Sequence, residues 1–92
     1  MANRLLVLYV MENGSKENRM GISVSRKVGC AVFRNRVKRL IREQIRLRKD
    51  EIAVGYDMVI VARAAIPKEV AFDQIGHSLA DLLNRQKVLD KK

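Results

Sequence analysis

The residues of this sequence that could take part in catalysis are not spaced in a way that indicates an active site. The only cysteine, Cys30, and the only histidine, His77, are far apart in the chain, so no Cys–His or metal-binding pair is indicated. Asp57 has no second carboxylate that the sequence places beside it. We interpret His77 as a surface residue and Cys30 as an inert small residue near a turn. The sequence therefore predicts no catalytic residue and no metal site, and we expect the chain alone to have no nuclease activity.

Basic residues give the strongest functional signal, because they are concentrated in one segment. The chain has 19 Lys and Arg against 10 Asp and Glu, a net charge of +9. Residues 26–49 contain ten of the basic residues and one acid, Glu43, so this segment alone accounts for the net charge. A localised cationic segment on an otherwise neutral domain is typical of proteins that bind a polyanion.

The cationic segment has the periodicity of an amphipathic helix from about residue 31 to residue 49. Its apolar face groups Phe33, Val37, Leu40, Ile41, Ile45 and Leu47. Its other face and edges carry Arg34, Asn35, Arg36, Lys38, Arg39, Arg42 and Arg46. Lys38, Arg42 and Arg46 follow one another at i, i+4 spacing, and like charges at this spacing destabilise an isolated helix. The row therefore favours a phosphate-binding face, and the excess of Arg, which pairs bidentately with phosphate, favours nucleic acid.

Alternating and apolar patterns predict three strands and a second helix around this segment. The strands are predicted over residues 4–11, 20–27 and 56–62, and the second helix over residues 72–86. We expect the first two strands to pair as a hairpin with a long loop, and residues 88–92 to form a frayed tail. The order strand-strand-helix-strand-helix predicts a two-layer α+β domain, a sandwich of helices packed on a small mixed sheet.

One face of the second predicted strand is small and polar, with Gly21, Ser23, Ser25 and Lys27 in alternate positions. Tyr9 of the first strand is expected beside it. This face is either open to another molecule or covered by a helix, and the sequence does not decide between the two. A base-stacking sheet of the RRM kind is disfavoured, because the chain has only two Tyr and two Phe.

Residues 31–42, Ala-Val-Phe-Arg-Asn-Arg-Val-Lys-Arg-Leu-Ile-Arg, closely resemble the signature of the protein subunit of bacterial ribonuclease P. Residues 2–4, 21–27, 59–63 and 78–79 are also similar to that family, so the resemblance spans nearly the whole chain. It implies a cytoplasmic protein that binds ribonuclease P RNA and precursor tRNA and assists removal of the 5′ leader. It also implies that catalysis resides in the RNA, with Mg²⁺ bound mainly by that RNA.

The resemblance implies roles for two groups of residues. It assigns contacts with the catalytic RNA to Arg34, Asn35, Arg36, Lys38, Arg39 and Arg42, and the charge row adds Arg46. It assigns a cleft for the single-stranded 5′ leader to Tyr9, Ser23, Ser25 and Lys27. It further implies a left-handed strand–helix–strand crossover around the basic helix, where the general rule is right-handed.

We interpret residues 1–92 as one ribonuclease P protein-like RNA-binding domain that lacks a basic helix with which family members begin. That helix forms one wall of the leader cleft, so we expect this chain to bind the catalytic RNA but to discriminate poorly between precursor tRNA with a leader and mature tRNA. We also expect the uncovered sheet surface to permit a weak or swapped homodimer. Cys30 stands where the family has Asn or Lys.

Three other classes of protein share parts of this pattern. A ribosomal or other structural RNA-binding protein would show the same basic helix without any role in tRNA processing. A DNA-binding helix-turn-helix protein is disfavoured, because only one helix is basic and no short partner helix precedes it. A helix on an anionic membrane surface is disfavoured, because the apolar stripe lacks Trp and is needed for the core.

Overall fold

The computed structural model describes residues 1–86, and it places two helices on one face of a three-stranded sheet. The elements are β1 (Leu6–Glu12), β2 (Arg19–Val24), α1 (Ala31–Leu47), β3 (Tyr56–Ala62) and α2 (Phe72–Arg85). Short 3-10 turns, Arg26–Val28 and Lys49–Glu51, stand on either side of α1. The predicted α+β class and element order are confirmed, whereas the frayed tail predicted for residues 88–92 lies outside the described residues.

The third strand lies in the centre of the sheet, which has the order β1-β3-β2. β1 pairs with β3 antiparallel, and β2 pairs with β3 parallel, so the sheet is mixed as predicted. The predicted hairpin of the first two strands is wrong. The loop over residues 13–18 needs to reach only two strand spacings, about 10 Å, to let β3 insert between its neighbours.

β2, α1 and β3 form a crossover between neighbouring parallel strands. This arrangement places the basic helix directly beside the sheet, as the sequence pattern predicts. The left-handed course of the crossover stays a prediction from the family resemblance.

The core lies between the sheet and the two helices. Its fully buried side chains come from every main layer, and they include Leu6, Leu8, Met58, Ile60, Val37, Ile41, Ile75, Leu79 and Leu82. Two positions of α1 differ from the predicted apolar stripe: Leu47 is 63% exposed, and Gln44 is 4% exposed. Leu47 ends the helix and turns away from the core, whereas Gln44 lies one turn beyond Leu40 and Ile41 on the core side.

Hydrogen bonds explain how a polar side chain is accommodated at Gln44. Its Nε2 donates to the carbonyl oxygen of Phe72 at 3.1 Å, and its Oε1 accepts from Arg48 Nη1 at 2.7 Å. Arg48 Nη2 also donates to the Gly76 carbonyl oxygen at 3.3 Å. Because both ends of the amide are bonded, its burial between the helices carries little cost. The network holds α1 against α2 and so determines which side of α1 is left exposed to solvent.

Within residues 1–86, no helix combines the length and the apolar composition needed to cross a bilayer.

Candidate nucleic-acid interface

The start of α1 is set by a tight approach between Gly29 and Phe33. A Cβ at residue 29 would lie 2.8 Å from Phe33 Cδ2, so any other residue would displace the ring from its place over the chain. Phe33 is half-buried and packs against the core, and α1 begins at Ala31, directly after Cys30. This packing anchors the first turn of the helix, and the residues that follow it on the outer face project into solvent.

Four residues of the outer face form the part of α1 that is free to meet a partner. Asn35, Arg39 and Arg42 are exposed and Lys38 is half-buried. The ion pairs and side-chain hydrogen bonds found within residues 1–86 involve other residues of the helix. We call Asn35, Lys38, Arg39 and Arg42 the basic face. Its positive charge is directed at solvent, where a phosphate-bearing partner can reach it.

Arg36 is predicted to belong to this group, but its guanidinium is engaged elsewhere. Nη1 donates to the Lys68 carbonyl oxygen at 3.2 Å, and Nη2 donates to the Val70 carbonyl oxygen at 2.7 Å. These bonds hold the segment that leads into α2 against α1. Arg36 therefore has a structural task in the free protein that the sequence pattern does not reveal, because its partners are more than thirty residues away.

The two other residues predicted to bind RNA, Arg34 and Arg46, border the basic face. Arg46 forms an ion pair with Glu43 at 2.7 Å, in which the Arg46 side chain is 72% exposed and the Glu43 side chain 43% exposed. Such surface pairs contribute little free energy, so Arg46 can exchange Glu43 for another anion. Arg34 is half-buried, and its Nε is buried without a hydrogen-bond partner among residues 1–86. An acceptor brought by a partner would relieve that unpaired donor if the guanidinium turns outward.

The outer face of the sheet is open in the part of the chain that the structure describes. Tyr9 is 59% exposed, Met11 70% and Val59 41%, and no described element covers them. Of the two interpretations of this face, the open surface is confirmed for residues 1–86. The alternation over residues 56–62 predicts that Val59 lies on this outer face, because neighbouring side chains of a strand point to opposite faces and Met58 and Ile60 are buried.

The four residues predicted to line a leader cleft lie in two places. Tyr9 and Ser23 share the outer sheet face, but β3 separates them, because Tyr9 is opposite Val59 and Ser23 is opposite Val61. Ser25 and Lys27 lie beyond the end of β2, at the 3-10 turn that leads to α1. Both are exposed. The prediction that Tyr9 lies beside the small polar strand is therefore wrong, because β3 lies between β1 and β2.

Asp57 of β3 is a structural carboxylate. Its Oδ1 accepts from Arg19 Nε at 2.9 Å and from Asn13 Nδ2 at 3.0 Å, and its Oδ2 accepts from Arg19 Nη2 at 2.8 Å. The hydrogen bonds from Arg19 and then from Asn13 lower the pKa of Asp57. Because Asn13 follows β1 and Arg19 begins β2, this carboxylate ties all three strands together at one end of the sheet.

Cys30 carries an exposed thiol at the N-terminal end of α1. The backbone N–H of Phe33 lowers its pKa, and the charge of Lys68 adds a smaller effect in the same direction. Within residues 1–86, no three side chains of His, Cys, Asp or Glu come together as a metal site would require.

Comparison with known proteins defines the class to which this fold and this basic helix belong. The ribonuclease P protein of Staphylococcus aureus has the same fold, with a TM-score of 0.86 and 40% identity over 98% of this chain and 82% of that chain. The ribonuclease P family model matches residues 1–87. The chain belongs to the ribonuclease P protein family, and the resemblance identified from residues 31–42 is confirmed.

Bacterial relatives support this membership along nearly the whole chain. The ribonuclease P protein component of Clostridioides difficile strain 630 is 49% identical over 91% of this chain and 74% of its own length. The corresponding protein of Caldanaerobacter subterraneus subsp. tengcongensis is 45% identical over 100% of this chain and 78% of its own length. The roles predicted for individual residues are not tested by these similarities and stay predictions.

Proposed function

We propose that this chain is the accessory protein subunit of a bacterial ribonuclease P and binds the catalytic RNA through α1. The observation that carries the proposal is the basic face, in which Asn35, Lys38, Arg39 and Arg42 are directed at solvent within the family signature. The Arg guanidinium pairs with phosphate oxygens, and Asn35 adds donor and acceptor groups. Arg46 would extend the face by leaving Glu43 for an RNA phosphate, and Arg34 would extend it by turning its guanidinium toward the RNA.

The RNA, and not this chain, would carry out the cleavage. Mg²⁺ held mainly by the RNA would activate the attacking water and stabilise the leaving oxygen. The donor groups of residues 1–86 do not favour a metal site on the protein, because their carboxylates, thiol and imidazole do not cluster. The chain contributes positive charge, which lowers the repulsion between two RNA molecules, and it positions the substrate.

The outer sheet face would hold the single-stranded 5′ leader of precursor tRNA. Tyr9 offers an aromatic surface on which a base can stack, and Ser23 offers a hydroxyl on the same face. Ser25 and Lys27 stand at the turn between this face and α1, where a leader strand would pass toward the catalytic RNA. The exposure of Tyr9 and Val59 supports this assignment, because exposed apolar side chains commonly mark a binding surface.

The test is processing of a precursor tRNA by a bacterial ribonuclease P RNA at low salt, with and without the chain. We expect the chain to stimulate cleavage, and log K for RNA binding to fall with log salt with a slope of about −4 to −6. Arg39→Ala should reduce both effects, whereas Lys68→Ala, which removes an exposed charge outside α1, is the matched control. RNA binding without any stimulation would favour a structural RNA-binding protein and contradict the proposal.

A weak homodimer through the same sheet face, expected from the sequence, stays a prediction. Sedimentation velocity at increasing protein concentration tests it, and Met11→Asp should abolish the association if the exposed face forms the interface. A concentration-independent monomer would contradict it.

A further inference from the structure

A cleft of about 460 Å³ opens beside the C-terminal end of α1. Its floor is apolar and consists of Met20, Ile45, Ile52 and Val54, and its rim includes Lys16 and Lys49. Met20 is on the helix side of the sheet, opposite Met58, so the cleft is separate from the face that carries Tyr9. The volume falls in the range of about 300–1,000 Å³ that is usual for small-ligand sites.

The wall of the cleft is fixed by Asn18. Its Nδ2 donates to the Ala53 carbonyl oxygen at 2.9 Å, and its Oδ1 accepts from the Tyr56 backbone N–H at 2.9 Å. These two bonds tie the loop after β1 to the segment that enters β3. The cleft is therefore formed before any partner arrives, and its occupant does not need to order it.

The charges and the floor together define the chemistry of an occupant. Lys16 and Lys49 are exposed at the rim, and Glu17 is the one acid that lines the cleft. Val54 is 65% exposed, so a large part of the floor is uncovered. A positively charged rim over an apolar floor suits a ligand with a flat, poorly solvated body and a negative group at its edge. A nucleotide has this combination.

The cleft is continuous with the basic face of α1. Lys38, Arg42 and Ile45 follow one another at i, i+4 and i+7, which places them along one side of α1. Lys49 begins the 3-10 turn just past the end of α1 and, like Ile45, lines the cleft. An RNA strand whose phosphates follow Lys38 and Arg42 therefore reaches the cleft at its next contacts.

We propose that the cleft receives one unpaired nucleotide of the RNA that α1 binds. The base lies on Ile45 and Val54, and the phosphate lies between Lys16 and Lys49. Bases splayed out of a structured RNA are held against aromatic or apolar side chains, and this cleft offers apolar ones. This inference rests on the proposed function, and it adds to it a second contact that depends on the base rather than on the backbone alone.

The test compares two variants that add the same charge at similarly exposed positions. Val54→Asp places a carboxylate on the floor of the cleft. Leu47→Asp is the matched control, because Leu47 is 63% exposed but lies two residues after Ile45, on the other side of α1. Circular dichroism and urea unfolding establish that both variants fold, which their exposure predicts.

The measurement is dimethyl sulfate probing of a bacterial ribonuclease P RNA, saturated with each protein. We expect the unaltered chain to protect an unpaired adenine or cytosine that regains reactivity with Val54→Asp and stays protected with Leu47→Asp. The affinity of Val54→Asp should fall about three- to tenfold at fixed salt. Lys49→Ala should weaken binding and reduce the salt slope by about one.

Identical protection patterns for the unaltered chain and Val54→Asp, with tight binding in both, would overturn the cleft assignment and leave the proposed function intact. Failure of the unaltered chain to bind the RNA would overturn both. The two failures are therefore distinguishable in one experiment.

Discussion

Gly76 of α2 lies against the side chain of Gln44 of α1, so closely that a Cβ at residue 76 would stand 2.7 Å from Gln44 Nε2. The glycine leaves the space in which the buried amide bonds to Phe72 and Arg48. Glycine is normally unfavourable in a helix interior, by about 1 kcal/mol relative to alanine. Here the close contact between helices outweighs that preference.

Gly76→Ala should therefore destabilise the protein although it improves helix propensity. Displacing Gln44 breaks its hydrogen bonds and overpacks the interface, at about 1–3 kcal/mol against a gain of about 1 kcal/mol. Urea unfolding measures the net loss. In the double variant with Gln44→Ala the effect of Gly76→Ala should become smaller, and an unchanged or raised stability of Gly76→Ala alone would contradict the packing argument.

Arg36 and Arg39 are near neighbours on α1, and we expect their replacement by alanine to have different effects. Arg36→Ala removes the bonds to the carbonyl oxygens of Lys68 and Val70, so it should lower the free energy of unfolding by about 1–2 kcal/mol. Arg39→Ala should change stability by less than about 0.5 kcal/mol but reduce the salt slope of RNA binding by about one.

Chemical denaturation and salt-dependent RNA binding, measured on both variants, separate the two roles. Arg36→Lys is a useful further variant, because an ammonium group does not reproduce the planar fork that reaches two carbonyl oxygens. Equal effects of the two alanine variants on stability would show that the contacts of Arg36 with the segment before α2 are unimportant.

Asp57 should make folding stability depend on pH at the acid end. Its pKa is lowered by Arg19 and Asn13 below the unfolded value of about 3.9. Because the pKa of Asp57 is lower in the folded state, its contribution to stability is fully present above the pKa of the unfolded state. That contribution is lost as the pH falls through the pKa of the folded state. The stability difference between the unaltered chain and Asp57→Asn should be constant at pH 5–7, then shrink below about pH 4. A difference that is independent of pH would contradict the role of the charge.

Cys30 should react faster with iodoacetamide in the folded protein than in the unfolded chain. The Phe33 backbone N–H lowers the pKa of the thiol, so a larger fraction is thiolate at a given pH. Alkylation rates as a function of pH, with and without urea, should give a midpoint at lower pH for the folded protein. Cys30→Ser is the blank for non-specific modification, and coincident pH curves would contradict the expected shift.

The periodicity of the sequence correctly predicts features that are set by residues close together in the chain, such as the buried side of α1 and the bounds of β3. The spacing of Val37 and Ile41 identifies the buried side of α1, and the same spacing places Arg39 and Arg42 outside. The strand over residues 56–62 is also predicted with its observed bounds, since its apolar run is bordered by Gly55 and the exposed Arg63.

The features that sequence reasoning misses depend on residues that meet only in the folded chain. The central position of β3 is one, because a pattern shows that a strand forms but not which strands flank it. Arg36 is another, since the carbonyl oxygen of Val70 is invisible in a side-chain pattern. Leu47, predicted on the apolar face, is exposed because nothing among the described residues covers it, whereas Gln44, which was not part of that face, is buried where α2 reaches α1.

The order β1-β3-β2 also has a consequence for how the chain acquires its structure. Neither β1 nor β2 has a neighbouring strand until β3 is available, so no hairpin can form first. β1 pairs with residues 44–56 positions later, and β2 pairs with residues 38 positions later. When strands pair over such distances, the chain loses the entropy of loop closure before the stabilising contacts form, which slows folding. On the ribosome, the apolar β1 emerges well before β3, and it stays unpaired until the chain has been extended through Ala62.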